Sequence, residues 1–168
     1  MLKTISTSTP GRTSAEHASI SDRNRPESSF PVQITPSSLA TRKGPAESFT
    51  GDVYIDAVAS PAVPSRVQAN LVHFMPGART AWHRHPLGQT LFVTEGVGLV
   101  QRRGGPVEII RPGDRVYIEP DEEHWHGATA TRLMVHLALN EVDQEHPAVH
   151  WGEHVSDEEY AAVDPEAI

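Results

Sequence analysis

GARTAWHRHPLGQTLFVTEG, residues 77–96, decides how this chain folds. In a strand, alternate side chains point to one face, so His83 and His85 aim two imidazoles at a common point. Pro86-Leu87-Gly88 reads as a short turn, after which Gln89 can add an amide oxygen. His124, thirty-five residues beyond Gln89, can close the set from a later strand. Three neutral imidazoles and one oxygen form a shell for a divalent transition metal that keeps open positions, as a catalytic metal requires. The alternative is a set of ordinary strand histidines, since the chain has 10 of them.

Outward from this stretch, short strand-like runs are punctuated by turn formers. The runs are 53–58, 66–74, 91–93, 98–102, 107–110, 115–118 and 131–139, and between them lie Pro76-Gly77, Gly104-Gly105-Pro106 and Pro112-Gly113. That rhythm predicts an all-β sandwich or barrel. Residues 1–30 are rich in Ser, Thr, Arg and Pro without apolar periodicity and read as a disordered tail. A transit peptide would share that bias, but Glu16, Asp22 and Glu27 argue against one. Ser156-Asp-Glu-Glu159 is a capping box that predicts a short helix reaching about Val163. The expected organisation is a tail (1–30), one β-barrel (31–155) and a C-terminal helix with its own tail (156–168).

Composition narrows the function classes. The chain has 168 residues, 38% hydrophobic, enough for one cored domain. No apolar run approaches the length of a membrane span, and no apolar stretch follows Met1, so a cytoplasmic location is expected. Cysteine is absent, which excludes disulfides and thiol catalysis. Residues 1–43 carry six basic and three acidic side chains, and residues 44–168 carry eight and nineteen. An acidic domain repels phosphates, so nucleic acid is not an expected partner.

The glycine frame makes the metal pattern specific. Gly77, His83, His85, Gln89 and Gly96 resemble the first motif of the cupin superfamily, G-x5-H-x-H-x3-E-x6-G, with Gln89 in place of the usual Glu. Gly113, Pro120 and His124 follow the second motif in order, with Glu119 and Asp121 where Pro and Gly are usual. KGPAESFTGDV (43–53), residues 76–98, RRGGPVEIIRPGD (102–114) and EEHWHGATATRLMVHLAL (122–139) resemble one narrower group. That group has the Gln form of the first motif and HWHGA at the second, and it includes bacterial manganese-dependent hydroxynitrile lyases. The resemblance implies a single-domain cupin, a double-stranded β-helix or jelly-roll barrel. It further implies His83, His85, Gln89 and His124 as metal ligands, and a homodimer or homotetramer.

Around the ligands several side chains carry two readings. Gln89 either ligates through a neutral oxygen, leaving the metal its full charge as a Lewis acid, or only hydrogen-bonds nearby. His126 shares a face with His124 and is either a partner of the site or a structural histidine beside Trp125. In 133–140, Met134, His136, Ala138 and Asn140 alternate with a more apolar set and fit the wall of a wet pocket. His136 there is a candidate general base near neutral pH, or else a hydrogen-bonded core histidine. The resemblance places His136 in the active site and Asn70 and Val72 on its wall. Thr80 can offer a hydroxyl. His73 points the other way, toward the surface or a dimer contact. His146, His150 and His154 are expected on the surface, and 121–123 in a solvated turn.

The resemblance implies a metal-dependent lyase that reversibly splits α-hydroxynitriles into an aldehyde or ketone and hydrogen cyanide, with His136 and His126 as the proton-handling candidates. Manganese(II) suffices because no redox change occurs. Iron, nickel or zinc bind such shells at least as well. A metal oxygenase or isomerase of a small oxygenated metabolite, and a ligand-binding cupin without turnover, are the alternatives.

Overall fold

The computed structural model describes residues 32–36, 40–143 and 145–161. Contacts divide the chain into residues 1–35 and residues 36–168, and every strand lies in the second unit. The tail expected over 1–30 and the helix end expected at Val163 fall outside the described residues.

The strands are β1 (Arg42–Lys43), β2 (Phe49–Thr50), β3 (Val53–Ala59), β4 (Val67–Phe74), β5 (Arg79–Arg84) and β6 (Gln89–Gly96). They continue with β7 (Gly98–Arg102), β8 (Glu108–Ile110), β9 (Arg115–Ile118), β10 (His124–Ala128), β11 (Met134–Glu141) and β12 (His150–His154), then α1 (Asp157–Tyr160). One sheet runs β1-β3-β4-β11-β6-β9, and the other runs β12-β5-β10-β7-β8, with β2 also on β5. All pairings are antiparallel.

Strand alternation builds the core. On β6, Gln89, Leu91 and Val93 are buried while Phe92 and Thr94 are exposed. Leu91 and Val93 meet Val72, Phe74, Ile118 and Met134 between the sheets. Fully burying such a side chain contributes about 1.5–3 kcal/mol. A second cluster, Trp82, Leu99, Trp125 and Val155, lies outside the second sheet. Tyr160 of α1 packs on it and donates its hydroxyl to Ala128 O at 2.8 Å.

The expected helix is a single turn with the capping box intact: Glu159 N donates to Ser156 Oγ, and Ser156 N donates to the Glu159 carboxylate. Arg79 secures it to β5, donating to Asp157 Oδ1 at 2.6 Å and Val155 O at 3.0 Å. Strands β1, β2 and β12 were not expected. β12 contains His150 and His154, read from the sequence as surface residues of an acidic tail. His154 is exposed, but His150 is half-buried. Strand β12 extends the second sheet at β5, with Trp151 opposite His83.

Candidate metal centre

β5 needs an irregularity to aim its side chains. His124 lies opposite His83 and Gly127 opposite Arg79, so three steps along β10 face four along β5. β5 therefore carries one extra residue, a bulge. It turns both Thr80 and His83 into one cavity although they are an odd number apart, and sends Trp82 to the outer cluster. Regular alternation then carries His85 inward. The chain turns at Gly88, where φ is +77° and an added Cβ would lie 2.8 Å from Ile118 O. That turn delivers Gln89 to the same site.

His83, His85 and His124 are all buried, and their candidate ligand atoms lie within 4.8 Å of one another. Each ring is fixed from behind by a backbone carbonyl. His83 Nδ1 bonds Ala81 O at 3.0 Å, His85 Nδ1 bonds Ala148 O at 2.8 Å, and His124 Nδ1 bonds Glu122 O at 2.8 Å. A carbonyl can only accept, so each Nδ1 carries the hydrogen and each Nε2 is left with a bare lone pair. His85 Nε2 is buried and has no partner. The Gln89 amide lies with Oε1 3.3 Å from His124 Nε2, setting one acceptor against another. A cation between them, or an amide turned to present its NH₂, removes that clash.

Electrostatics agree. Burial, followed by the neighbouring His124 and His85, holds His83 well below the usual imidazole range. Burial also lowers His85, and it brings His124 down to about 4. All three are neutral at pH 7, the form that binds metal. The residues therefore fit a divalent cation: three oriented nitrogen donors, a neutral oxygen, and no carboxylate among them.

Beside the donors is a cavity of about 290 Å³ between the sheets, lined by Asn70, Val72, Thr80, Ala138, Asn140, His126 and His136, whereas Met134, expected on the same wall, is buried in the core. Asn140 Nδ2 donates to Gln68 Oε1 at 3.1 Å, and Thr80 Oγ1 accepts from His126 N at 3.2 Å. His136 Nε2 and His126 Nδ1 are 3.2 Å apart, while His136 Nδ1 and His126 Nε2 are buried without partners. Two neutral rings sharing one hydrogen bond have one outer nitrogen protonated and the other bare. Burial pushes His136 down to about 3. Burial and then His136 hold His126 well below its ordinary value. His136 is thus a neutral imidazole at pH 7, not a group titrating near neutrality as the sequence suggested. Its ring is 5.5 Å from Phe74 and 4.8 Å from His126, and among the described residues no carboxylate lines the cavity.

The sequence reading missed part of the wall. Phe49, Ile55, Val149 and Trp151 line the cavity, and the Trp151 ring centroid is 4.8 Å from that of His83. Alternation of Val149 with Trp151 was the one available signal, masked by surrounding acidic residues. His73 faces away from the cavity as expected, half-buried, with Nε2 3.0 Å from Asp56 Oδ2. Asp121 takes the left-handed conformation, φ 60°, where the second motif usually has Gly. A cleft of about 430 Å³ between β8 and β9 touches His124 but none of the other candidates.

The cupin domain family model matches residues 70–139, the span from the pocket wall of β4 to β11. The chain is 55% identical over 123 residues to (R)-mandelonitrile lyase of Granulicella tundricola, across 73% of this chain and 93% of that enzyme. This chain is a cupin. It belongs with that lyase in one group of the superfamily. A cupin-like protein from Thermotoga maritima shares the cupin's fold with a TM-score of 0.70 and 39% identity, over 73% of this chain and 93% of that one. A cupin-2 domain protein from Rhodospirillum rubrum matches at a TM-score of 0.59 with 18% identity, over 79% and 85% of the two chains, which bears on the fold alone.

Proposed function

We propose that this cupin is a divalent-metal-dependent hydroxynitrile lyase acting on aryl cyanohydrins, with manganese(II) sufficient as its metal. The observation that carries the reading is the adjacency of three carbonyl-anchored imidazoles to a cavity holding the neutral His126–His136 pair. The 55% identity to a mandelonitrile lyase supports the choice of reaction. A divalent cation held by His83, His85, His124 and Gln89 would supply a Lewis acid that lowers the pKa of a substrate hydroxyl.

Cleavage requires the hydroxyl to lose its proton and the carbon–carbon bond to break. The bonding pair leaves with cyanide, a carbonyl forms, and cyanide takes up a proton. The His126–His136 pair suits both proton movements. Its bare outer nitrogen can accept from the hydroxyl, and its outer N–H can donate to the departing cyanide. Neither ring needs to start charged, which matches their depressed proton affinity. Thr80 and Asn140 offer polar contacts, while Phe49, Val72 and Trp151 form an apolar wall for an aryl group.

Turnover of mandelonitrile, followed as cyanide and benzaldehyde together, tests the reading. The manganese-loaded wild type should release both in equal amounts, and His124→Ala should release neither above the uncatalysed rate. Equal rates in the two proteins would remove the proposal. Oxygen uptake with the same metal-loaded protein on a catechol would favour the oxygenase alternative.

A further inference from the structure

The three carbonyls that anchor the imidazoles differ in origin. Ala81 O and Glu122 O each lie two residues before the ring they hold, His83 and His124. Ala148 O, which holds His85, comes from sixty-three residues further along the chain. The orientation of His85 therefore depends on the segment that leads into β12. The same segment closes one side of the cavity through Ala148, Val149 and Trp151.

Strand β12 is lightly held for that duty. It lies at the edge of the second sheet, its register on β5 shifts between Trp151 and His154, and residues 151–154 are exposed. Thr50 Oγ1 lies 3.2 Å from His154 Nδ1, and the Phe49 and Trp151 rings meet edge-on. The far end is pinned, because Val155 is buried and Arg79 donates to its carbonyl. Between these points Arg103, in the turn after β7, reaches across. Its guanidinium makes two bonds to Glu123, at 2.9 and 3.3 Å, and further bonds to Glu153 of β12 and Glu159 of α1. Its Cζ sits 3.7 Å from the centre of the Trp82 ring. Glu123 directly precedes the ligand His124, and its carbonyl accepts from Arg103 N at 2.8 Å. A planar fork bonded to three carboxylates and seated on an indole fixes one arrangement of these elements. Arg103 itself does not line the cavity.

We propose that Arg103 is a positioning residue of the metal centre: it latches β12 over the cavity, and the latched strand holds His85, through Ala148 O, in the orientation a metal needs. This rests on the metal reading of the three imidazoles and not on the choice of reaction. Displacing β12 frees the His85 ring and unroofs the cavity together, with Val155 as the pivot. The coupling is reciprocal: whatever β12 docking adds to metal binding, bound metal adds to β12 docking.

Hydrogen exchange of the full chain, with and without manganese(II), tests the latch, and the rate of manganese release to a chelator tests its link to His85. Manganese should slow exchange across residues 148–155 of the wild type. Arg103→Met and Glu153→Gln should each speed exchange there in metal-free protein, by about fivefold for loss of a partly exposed ion-pair network, with β4 and β11 unchanged. Both should release manganese faster by a similar factor, and Arg103→Lys, which keeps the charge without the fork, should fall between. Arg66→Met removes an exposed ion pair to Glu141 on the other sheet and should alter neither quantity. Wild-type exchange over 148–155 in both R103M and E153Q overturns the latch. Faster exchange with an unchanged release rate overturns the link to His85 and leaves Arg103 a structural contact. A wild type that takes up no manganese removes the metal reading and the coupling with it, while exchange in the metal-free protein still decides the latch.

Discussion

Gln89 and His136 are the two side chains whose chemistry departs most from what their types suggest. A glutamate at position 89 would add a negative charge beside three neutral imidazoles, whereas the amide leaves a bound cation its full charge. Gln89→Glu should therefore retain divalent metal at least as tightly, while mandelonitrile turnover falls because the substrate oxygen is less polarised. Turnover at or above wild type would remove the Lewis-acid argument for the amide. His136, brought down to about 3 by burial, hydrogen-bonds only His126. His136→Ala should leave metal content intact and cut turnover by roughly a hundredfold or more, the range for a positioned proton-transfer group. Loss of metal in that variant would make His136 a support of the ligands. Unchanged turnover would reduce it to packing.

At the scale of elements, the glycines that frame the first motif perform different tasks. Gly77 has φ +81° with nothing within 4 Å of an added Cβ, whereas a Cβ at Gly96, φ +75°, would sit 1.8 Å from Leu133 O. Gly77→Ala should cost only about 1–2 kcal/mol of left-handed strain in a denaturant titration. Gly96→Ala adds a backbone collision and should cost more than about 4 kcal/mol, or prevent folding. Equal costs would mean that β6 and β11 can separate at this point. The same elements show what the sequence carried. Alternation pointed to Met134, His136, Ala138 and Asn140 as cavity wall, and the resemblance favoured His136; all but Met134, which packs in the core, line the cavity, and the His83–His85 spacing brought two imidazoles together. The bulge in β5 that also turns Thr80 inward left no local mark, because it arises from register against β10. Strand β12 was hidden for a related reason. Its strand character depends on pairing with β5, and its Trp151 is half of a ring contact completed from another strand.

For the molecule as a whole, the burial of so many imidazoles ties stability to pH. In the folded metal-free protein, burial lowers His124 to about 4 and His136 to about 3, while both titrate near 6.5 when the chain unfolds. Between these values the unfolded chain binds more protons, so stability rises with pH. This contribution is complete above about pH 6.5 and is lost as pH falls through the folded values. The melting temperature of metal-free protein should therefore drop steadily from about pH 6.5 toward pH 4. A flat profile over that window would mean that the imidazoles are not buried neutral in the folded chain.

The proposed function requires three anchored imidazoles and one amide to make a catalytic divalent-metal site in this cupin. Its most direct test is a titration of chelator-stripped protein with manganese(II), following cyanide release from mandelonitrile. Release should be negligible at the start and rise linearly, levelling off at one equivalent of metal per chain. Full release by the stripped protein, or none at saturating manganese, would contradict it.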